Sequence, residues 1–205
     1  MRRAPKRMGL GLCALLLTAT TLADPGGQDN PSTQELFDAD GYRIARFQAP
    51  VPETPPGATR LTTEAAARML STGQAVAIDV LPSPERPANL PKGALWLPPP
   101  HVNIPGSIWL ANVGYGRLSP RLETYFRDQL DRLAEENPDR ALIFYCKADC
   151  WMSWNAAKRA AAYGYRQVHW YPRGTDGWTA LGLPLRPSQP VPLDPPPPKG
   201  NRPLE

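Results

Sequence analysis

The stretch Ala141-Leu-Ile-Phe-Tyr-Cys-Lys-Ala-Asp-Cys-Trp-Met-Ser-Trp-Asn-Ala-Ala-Lys-Arg159 decides how the chain is read. Ala141 to Tyr145 is a short apolar run suited to a buried strand, and it ends on Cys146. Ser153 then opens a segment with helical spacing, from Trp154 to Tyr163, that closes at Gly164. A thiol on the turn between a strand and a helix meets backbone N–H groups and the positive end of the helix dipole, which both favour a thiolate. Cys146 is therefore the expected nucleophile. Lys147, Ala148, Asp149, Trp151, Met152 and Ser153 form the expected substrate-binding loop around it.

Cys150, four positions on, is the second expected catalytic residue, because a neighbouring thiol can resolve a persulfide or mixed disulfide by closing Cys146–Cys150. As a structural staple, a ring this small would contribute only about 2 kcal/mol on the chain-entropy model, so a redox role is favoured. Met152 and His169 add soft atoms that suit copper(I), but no histidine spacing supports zinc, and the reading assigns no metal and no cofactor.

Working outward, Thr62-Thr63-Glu64 starts a helix that runs through Leu70 and stops at Gly73. Ala75 to Val80 is a short strand, Pro82 to Pro100 an irregular proline-dense loop, and the turn at Asn103 to Ser107 feeds a second strand over 108–113. Ser119-Pro120 is an N-cap with proline at the first helical position, and Leu122, Tyr125, Phe126, Leu130 and Leu133 share one face of the helix it opens. Gln167 to Tyr171 reads as a strand and Pro172 to Trp178 as a loop. Tyr42 to Phe47 alternates like an added edge strand. Strands alternating with helices across residues 60–185 predict an α/β fold with a mainly parallel central sheet and helices on both faces. In such sheets the working loops lie at the carboxyl ends of strands, where Cys146 falls.

The 205 residues carry a net charge of +4. Residues 1–23 read as an export signal, with Arg2, Arg3, Lys6 and Arg7 before an apolar core from Met8 to Leu17 and Thr21-Leu22-Ala23 at the cleavage site. That apolar core is too short for a stable membrane anchor. The signal holds four basic and no acidic residues, so its removal leaves a neutral chain with no basic cluster and no case for nucleic acid. It also removes Cys13 and leaves the pair Cys146 and Cys150 in a compartment able to oxidise thiols, expected to be the periplasm. The expected organisation is a signal over 1–23, an extension over 24–59 that is flexible at 24–34, one domain over 60–186, and a proline-rich tail over 187–205. Of the six tryptophans, Trp151 stands inside the expected loop, where it could cover the thiol or meet a partner. Asp79 and Asp176 are candidates to orient the loop through hydrogen bonds, with capping or turn formation the favoured reading for both, and His101 reads as a loop residue.

The order of motifs resembles the rhodanese-like domain: Asp79-Val80, Ile104-Pro-Gly-Ser107, Cys146 to Ser153-Trp-Asn-Ala-Ala157, Gly164-Tyr-Arg-Gln-Val168, and Gly174-Thr-Asp-Gly-Trp178 before Leu183-Pro184. The Cys-x-x-x-Cys-Trp element resembles more narrowly an exported subfamily associated with catabolism dependent on the quinone cofactor PQQ. That resemblance implies sulfurtransferase-like chemistry in a periplasmic setting, with a small sulfur donor or protein thiol as reactant and a quinoprotein or cytochrome as partner. Two departures stand out. Met152 precedes Ser153 where the family usually has arginine, and the loop is one residue longer than in sulfurtransferases. Lys147 is the only cation inside it, so bidentate binding of thiosulfate is impaired. A non-catalytic accessory module on the same scaffold is the competing expectation.

Overall fold

Two five-residue runs, Ala75–Asp79 (β2) and Ala141–Tyr145 (β5), are buried at every position and lie side by side in parallel, with Asp79 opposite Tyr145. Continuous burial of this kind belongs to a strand covered on both faces. The structure is a computed structural model that describes residues 36–193, apart from 52, 85, 86, 88 and 98. The expected export signal, the segment 24–34 and residues 194–205 lie outside the described residues.

Around these strands run Thr59–Arg60 (β1), Thr63–Ser71 (α1), His101–Asn103 (β3), Ile108–Trp109 (β4), Pro120–Glu136 (α2), Trp151–Ala162 (α3), Val168–Trp170 (β6), Gly174–Ala180 (α4) and Arg186–Ser188 (β7). Among the described residues the main sheet has the order β1-β6-β5-β2-β4 with every pairing parallel; β3 and β7 form a separate antiparallel ribbon. Alternate residues of β5 supply two cores. Leu142 and Phe144 pack with Phe126 and Leu130 of α2 and with Trp154, Ala156 and Ala160 of α3. Ala141, Ile143 and Tyr145 pack with Ala66 of α1 and Trp178 of α4. The period of two in a strand turns one apolar run into two interfaces. Each large side chain so buried contributes about 1.5–3 kcal/mol.

The expected caps are present: Thr62 Oγ1 accepts from Ala65 N at 3.2 Å and Ser119 Oγ from Leu122 N at 3.3 Å, with Pro120 at the head of α2. No helix among the described residues is long and apolar enough to cross a membrane.

Five local expectations are corrected. Tyr42–Phe47 is not an edge strand; Arg43 is buried, and the segment is a strap that meets the rest of the chain through isolated bridges. Helix α3 begins at Trp151, with Cys150 as its N-cap, because Trp151 and Met152 gain burial by entering the first turn. The second strand is only Ile108–Trp109, and Asn112 turns the chain at a φ of 71°. The glycine-rich Pro172 to Trp178 stretch folds into α4, since Trp178 enters the core and tertiary burial outweighs poor helix propensity. Finally, residues 187–193 are not free tail: β7 pairs with β3, and Val191 N donates to Trp109 O at 2.9 Å.

Candidate functional site

Cys146 leaves the carboxyl end of β5 and Cys150 caps α3, so the loop proper is five residues long, from Cys146 to Cys150. Both carry free thiols, with 2% and 5% of their surfaces exposed. Trp151, Met152 and Ser153, expected in the loop, instead lie buried in the first turn of α3. Lys147 and Asp149 are exposed at the loop surface, and Asp149 adopts a positive φ of 52°.

The surroundings of the two sulfurs differ. The Cys146 sulfur lies 3.7 Å from the carbonyls of Lys147 and Cys150, while the Ser153 hydroxyl and amide act on it in favour of the thiolate. Burial and the neighbouring Cys150 push its pKa well up. Cys150 goes the other way: the thiol hydrogen of Cys146 lowers its pKa against the opposing cost of burial, assisted by the Met152 and Lys147 amides and the Lys147 charge. Of the two, Cys150 is the thiol whose ionisation its surroundings favour.

The loop amides are already engaged. Ala148 N donates to Asp176 Oδ2 at 2.7 Å, so a carboxylate from α4 sits where an external anion would bind. Trp151 N donates to Phe47 O at 2.8 Å, and Ala49 N returns a bond to Asp149 O at 2.8 Å. Gln48 Nε2 donates to Ala148 O at 2.8 Å and Asp149 O at 3.0 Å. The strap therefore lies along the loop. Beneath it, Gly174 approaches so closely that a Cβ there would stand 2.2 Å from Cys146 O, and Thr175 N donates to that same carbonyl at 3.0 Å. Only glycine fits, at a φ of +47°.

The strap is anchored by polar residues of α3 that sequence reasoning missed. Buried Asn155 accepts from Arg43 N at 2.9 Å and donates to Arg43 O and Gly114 O, both at 2.9 Å. Arg159 donates to Val113 O at 3.1 Å and Gly116 O at 2.6 Å. The Arg43 guanidinium lies over the rings of Phe37 and Trp151, 5.1 and 5.0 Å from their centroids. Trp151 is thus packed under the strap, with its Nε1 buried and unpartnered. A polar Asn155 amid a run of alanines was the signal available; nothing in the sequence marked Arg43 as its neighbour, or Gln48 as a neighbour of the loop.

A second cluster stands one strand away. Asp79, 1% exposed, places Oδ2 2.7 Å from His101 Nε2 and accepts from Leu81 N through Oδ1 at 2.9 Å. The His101 ring stacks on Trp109 with centroids 3.9 Å apart. Asp79 does make the expected turn bond. His101 is not a simple loop residue, because β3 carries it back to β2 across the proline-dense loop, and the separation of 22 positions hides the pairing. Tyr145 donates to Ser107 Oγ at 2.8 Å and accepts from Ile104 N at 3.0 Å. Of the soft atoms considered for copper, His169 is half-buried with Nδ1 unpartnered, and burial lowers its pKa. Among the described residues no group of three or more His, Cys, Asp or Glu side chains gathers as a metal site.

No curated protein sequence matches the chain. Its structure is similar to thiosulfate sulfurtransferase from Pseudomonas aeruginosa at 21% identity and a TM-score of 0.40, over 65% of this chain and 21% of that one. The chain thus spans about a fifth of that enzyme's length. A protein of unknown function and possible tyrosine phosphatase from Rhodopseudomonas palustris matches at 21% identity and a TM-score of 0.40, over 63% of this chain and 85% of that one. An uncharacterized protein from Saccharomyces cerevisiae matches at 20% identity and a TM-score of 0.37, over 61% and 93%. The sequence model of the rhodanese-like domain matches residues 62–181, more than half of the 205, and includes both cysteines, so the chain belongs to the rhodanese-like domain family.

Proposed function

We propose that the chain is a dithiol exchange protein, in which Cys146 and Cys150 take up a sulfur electrophile and release it by closing a disulfide. The observation that carries this reading is the placement of two free, buried thiols at the two ends of one short loop, with Cys146 Sγ 3.7 Å from Cys150 O. A thiolate attacks a disulfide or a sulfane sulfur, and the second thiol then displaces the bound group. With a persulfide the displaced group is hydrosulfide, and the two electrons that reduce it come from the thiol pair. Thiosulfate is a poor candidate donor, because Met152 stands at the usual arginine position and Asp176 occupies the Ala148 amide. The Cys-x-x-x-Cys-Trp element and the basic leader over 1–23 favour an exported, periplasmic protein working alongside PQQ-dependent alcohol catabolism.

Intact-mass measurement after incubation of the reduced protein with inorganic polysulfide or oxidised glutathione tests the reading. A sulfur or glutathione adduct in Cys146→Ala, and loss of two hydrogens in the unaltered protein, are expected. Neither adduct nor disulfide under any redox condition would remove the reading. The strap over the thiols favours a second one, a non-catalytic docking module for a quinoprotein or cytochrome, which that negative result would leave standing.

A further inference from the structure

Deepening the dithiol reading, on which it rests, the pairing of strap and loop identifies a class of substrate. Ala49 N bonds to Asp149 O and Trp151 N to Phe47 O, so Gln48 and Cys150 between them form an antiparallel bridge of the non-hydrogen-bonded kind. In such a pair the Cα atoms lie about 4.5 Å apart and both side chains leave on one face. That separation lies within the roughly 4.4–6.8 Å a disulfide spans. Gln48 is exposed, and its amide covers the carbonyls of Ala148 and Asp149.

The two halves of the strap are held differently. Upstream, Arg43 is fixed by its own side chain and by Asn155. Downstream, Phe47 to Ala49 hold the loop by two main-chain bonds and the Gln48 amide, with the Phe47 ring edge-on to Tyr115 at 5.5 Å. Between the halves Arg46 adopts a φ of 48°, in the left-handed region that strains a non-glycine residue. Main-chain bonds can be made by any extended peptide, as in other cases of strand addition.

We propose that Phe47–Ala49 fill the docking place of an extended polypeptide substrate, whose oxidised cysteine takes the position of Gln48 opposite Cys150. The Cys150 thiolate attacks the substrate's cysteine sulfur; the former partner thiolate leaves, and a mixed disulfide forms. Cys146 then attacks Cys150 Sγ, gives up its proton to the departing substrate thiolate, and closes the Cys146–Cys150 disulfide. Two electrons pass from the thiol pair to the substrate disulfide.

The test uses the full chain and a synthetic peptide with the sequence of residues 44–51, cysteine replacing Gln48 and activated as its pyridyl disulfide. A second peptide differs by a methyl group on the backbone nitrogen after the cysteine, which deletes the bond to Asp149 O. Release of the pyridine thiol is expected to be about tenfold slower for the methylated peptide, the effect of one lost backbone hydrogen bond. In Cys146→Ala the peptide adduct is expected on Cys150. Equal rates for the two peptides, or an adduct elsewhere, overturn this inference. Hydroxyethyl pyridyl disulfide separates the two levels: if it reacts while the peptides show no discrimination, only the docking inference falls, and if none of the three reacts, the dithiol reading falls with it. Should Cys146→Ala not fold, the rate comparison in the unaltered protein decides alone.

Discussion

At the scale of single residues, the chemistry follows from which groups face each sulfur. Burial and the neighbouring Cys150 push the Cys146 thiol up against the opposing Ser153 hydroxyl and amide; Cys150, at the head of α3, is lowered by the Cys146 thiol, the Met152 and Lys147 amides and the Lys147 charge. Cys146→Ala removes the thiol hydrogen bond that does most to lower the Cys150 pKa. The pH at which Cys150 reaches half its maximal rate of alkylation by iodoacetamide is therefore expected to move up, and an unmoved midpoint would assign the lowering to the helix head and Lys147 alone. Asp176 tunes the same loop by charge. Asp176→Asn keeps an acceptor for the Ala148 amide and deletes the carboxylate, so reaction with a dianionic aromatic disulfide should gain about threefold relative to a neutral pyridyl disulfide. An unchanged ratio would mean that the carboxylate does not act on incoming anions. Cys146, Cys150 and the loop between them were legible from the strand ending and the helix that follows. Their relative acidity was not, because it depends on carbonyls and amides whose directions only the folded loop sets.

At the scale of elements, helix α3 does two jobs with opposite sides of its length. Its alanines pack on the sheet, while Asn155, Lys158 and Arg159 hold the strap and the turn after β4. Asn155 makes three bonds in a fully buried place, and Asn155→Ala leaves the Arg43 amide and two carbonyls short of a partner. The expected cost is about 2–4 kcal/mol in urea unfolding, accompanied by faster proteolysis within residues 43–49. A loss below about 0.5 kcal/mol would show that the strap holds without it. The amphipathic spacing of α2, with Ser119-Pro120 at its head, read correctly because that helix is shaped by local pattern and one buried face. Helix α4 and the strap did not read from pattern. Gly174 and Gly177 argue against a helix locally, and what overrides them is contact with Cys146 O and the core around Trp178.

The molecule as a whole is a parallel sheet between two cores, and that plan was legible because buried strands and capped helices alternate along the chain. The β3–β7 ribbon was hidden, since three-residue strands rich in polar residues and proline carry little signal and their pairing joins residues far apart in sequence. Burial of phenols gives this architecture an alkaline limit. Burial pushes Tyr125 up to about 12, and burial with Glu123 nearby does the same for Tyr163. A raised tyrosine pKa favours the folded state fully below the unfolded value of about 10, and the contribution is lost as pH rises from there towards about 12. Stability to urea should therefore fall over that window, with a shallower fall in Tyr163→Phe; an identical slope would remove Tyr163 from the account.

The strap also sets a clock. Because both thiols are buried and Phe47 and Ala49 bond to the loop that carries them, a reagent is expected to add during the intervals when Phe47 to Ala49 have let go. At low concentration the modification rate rises in proportion to reagent; at high concentration it levels at the frequency of release, a first-order ceiling owned by the protein and the same for every reagent. Stopped-flow alkylation with two chemically different reagents should converge on one plateau, whereas rates that climb without limit would mean that the sulfurs are reached with the strap in place.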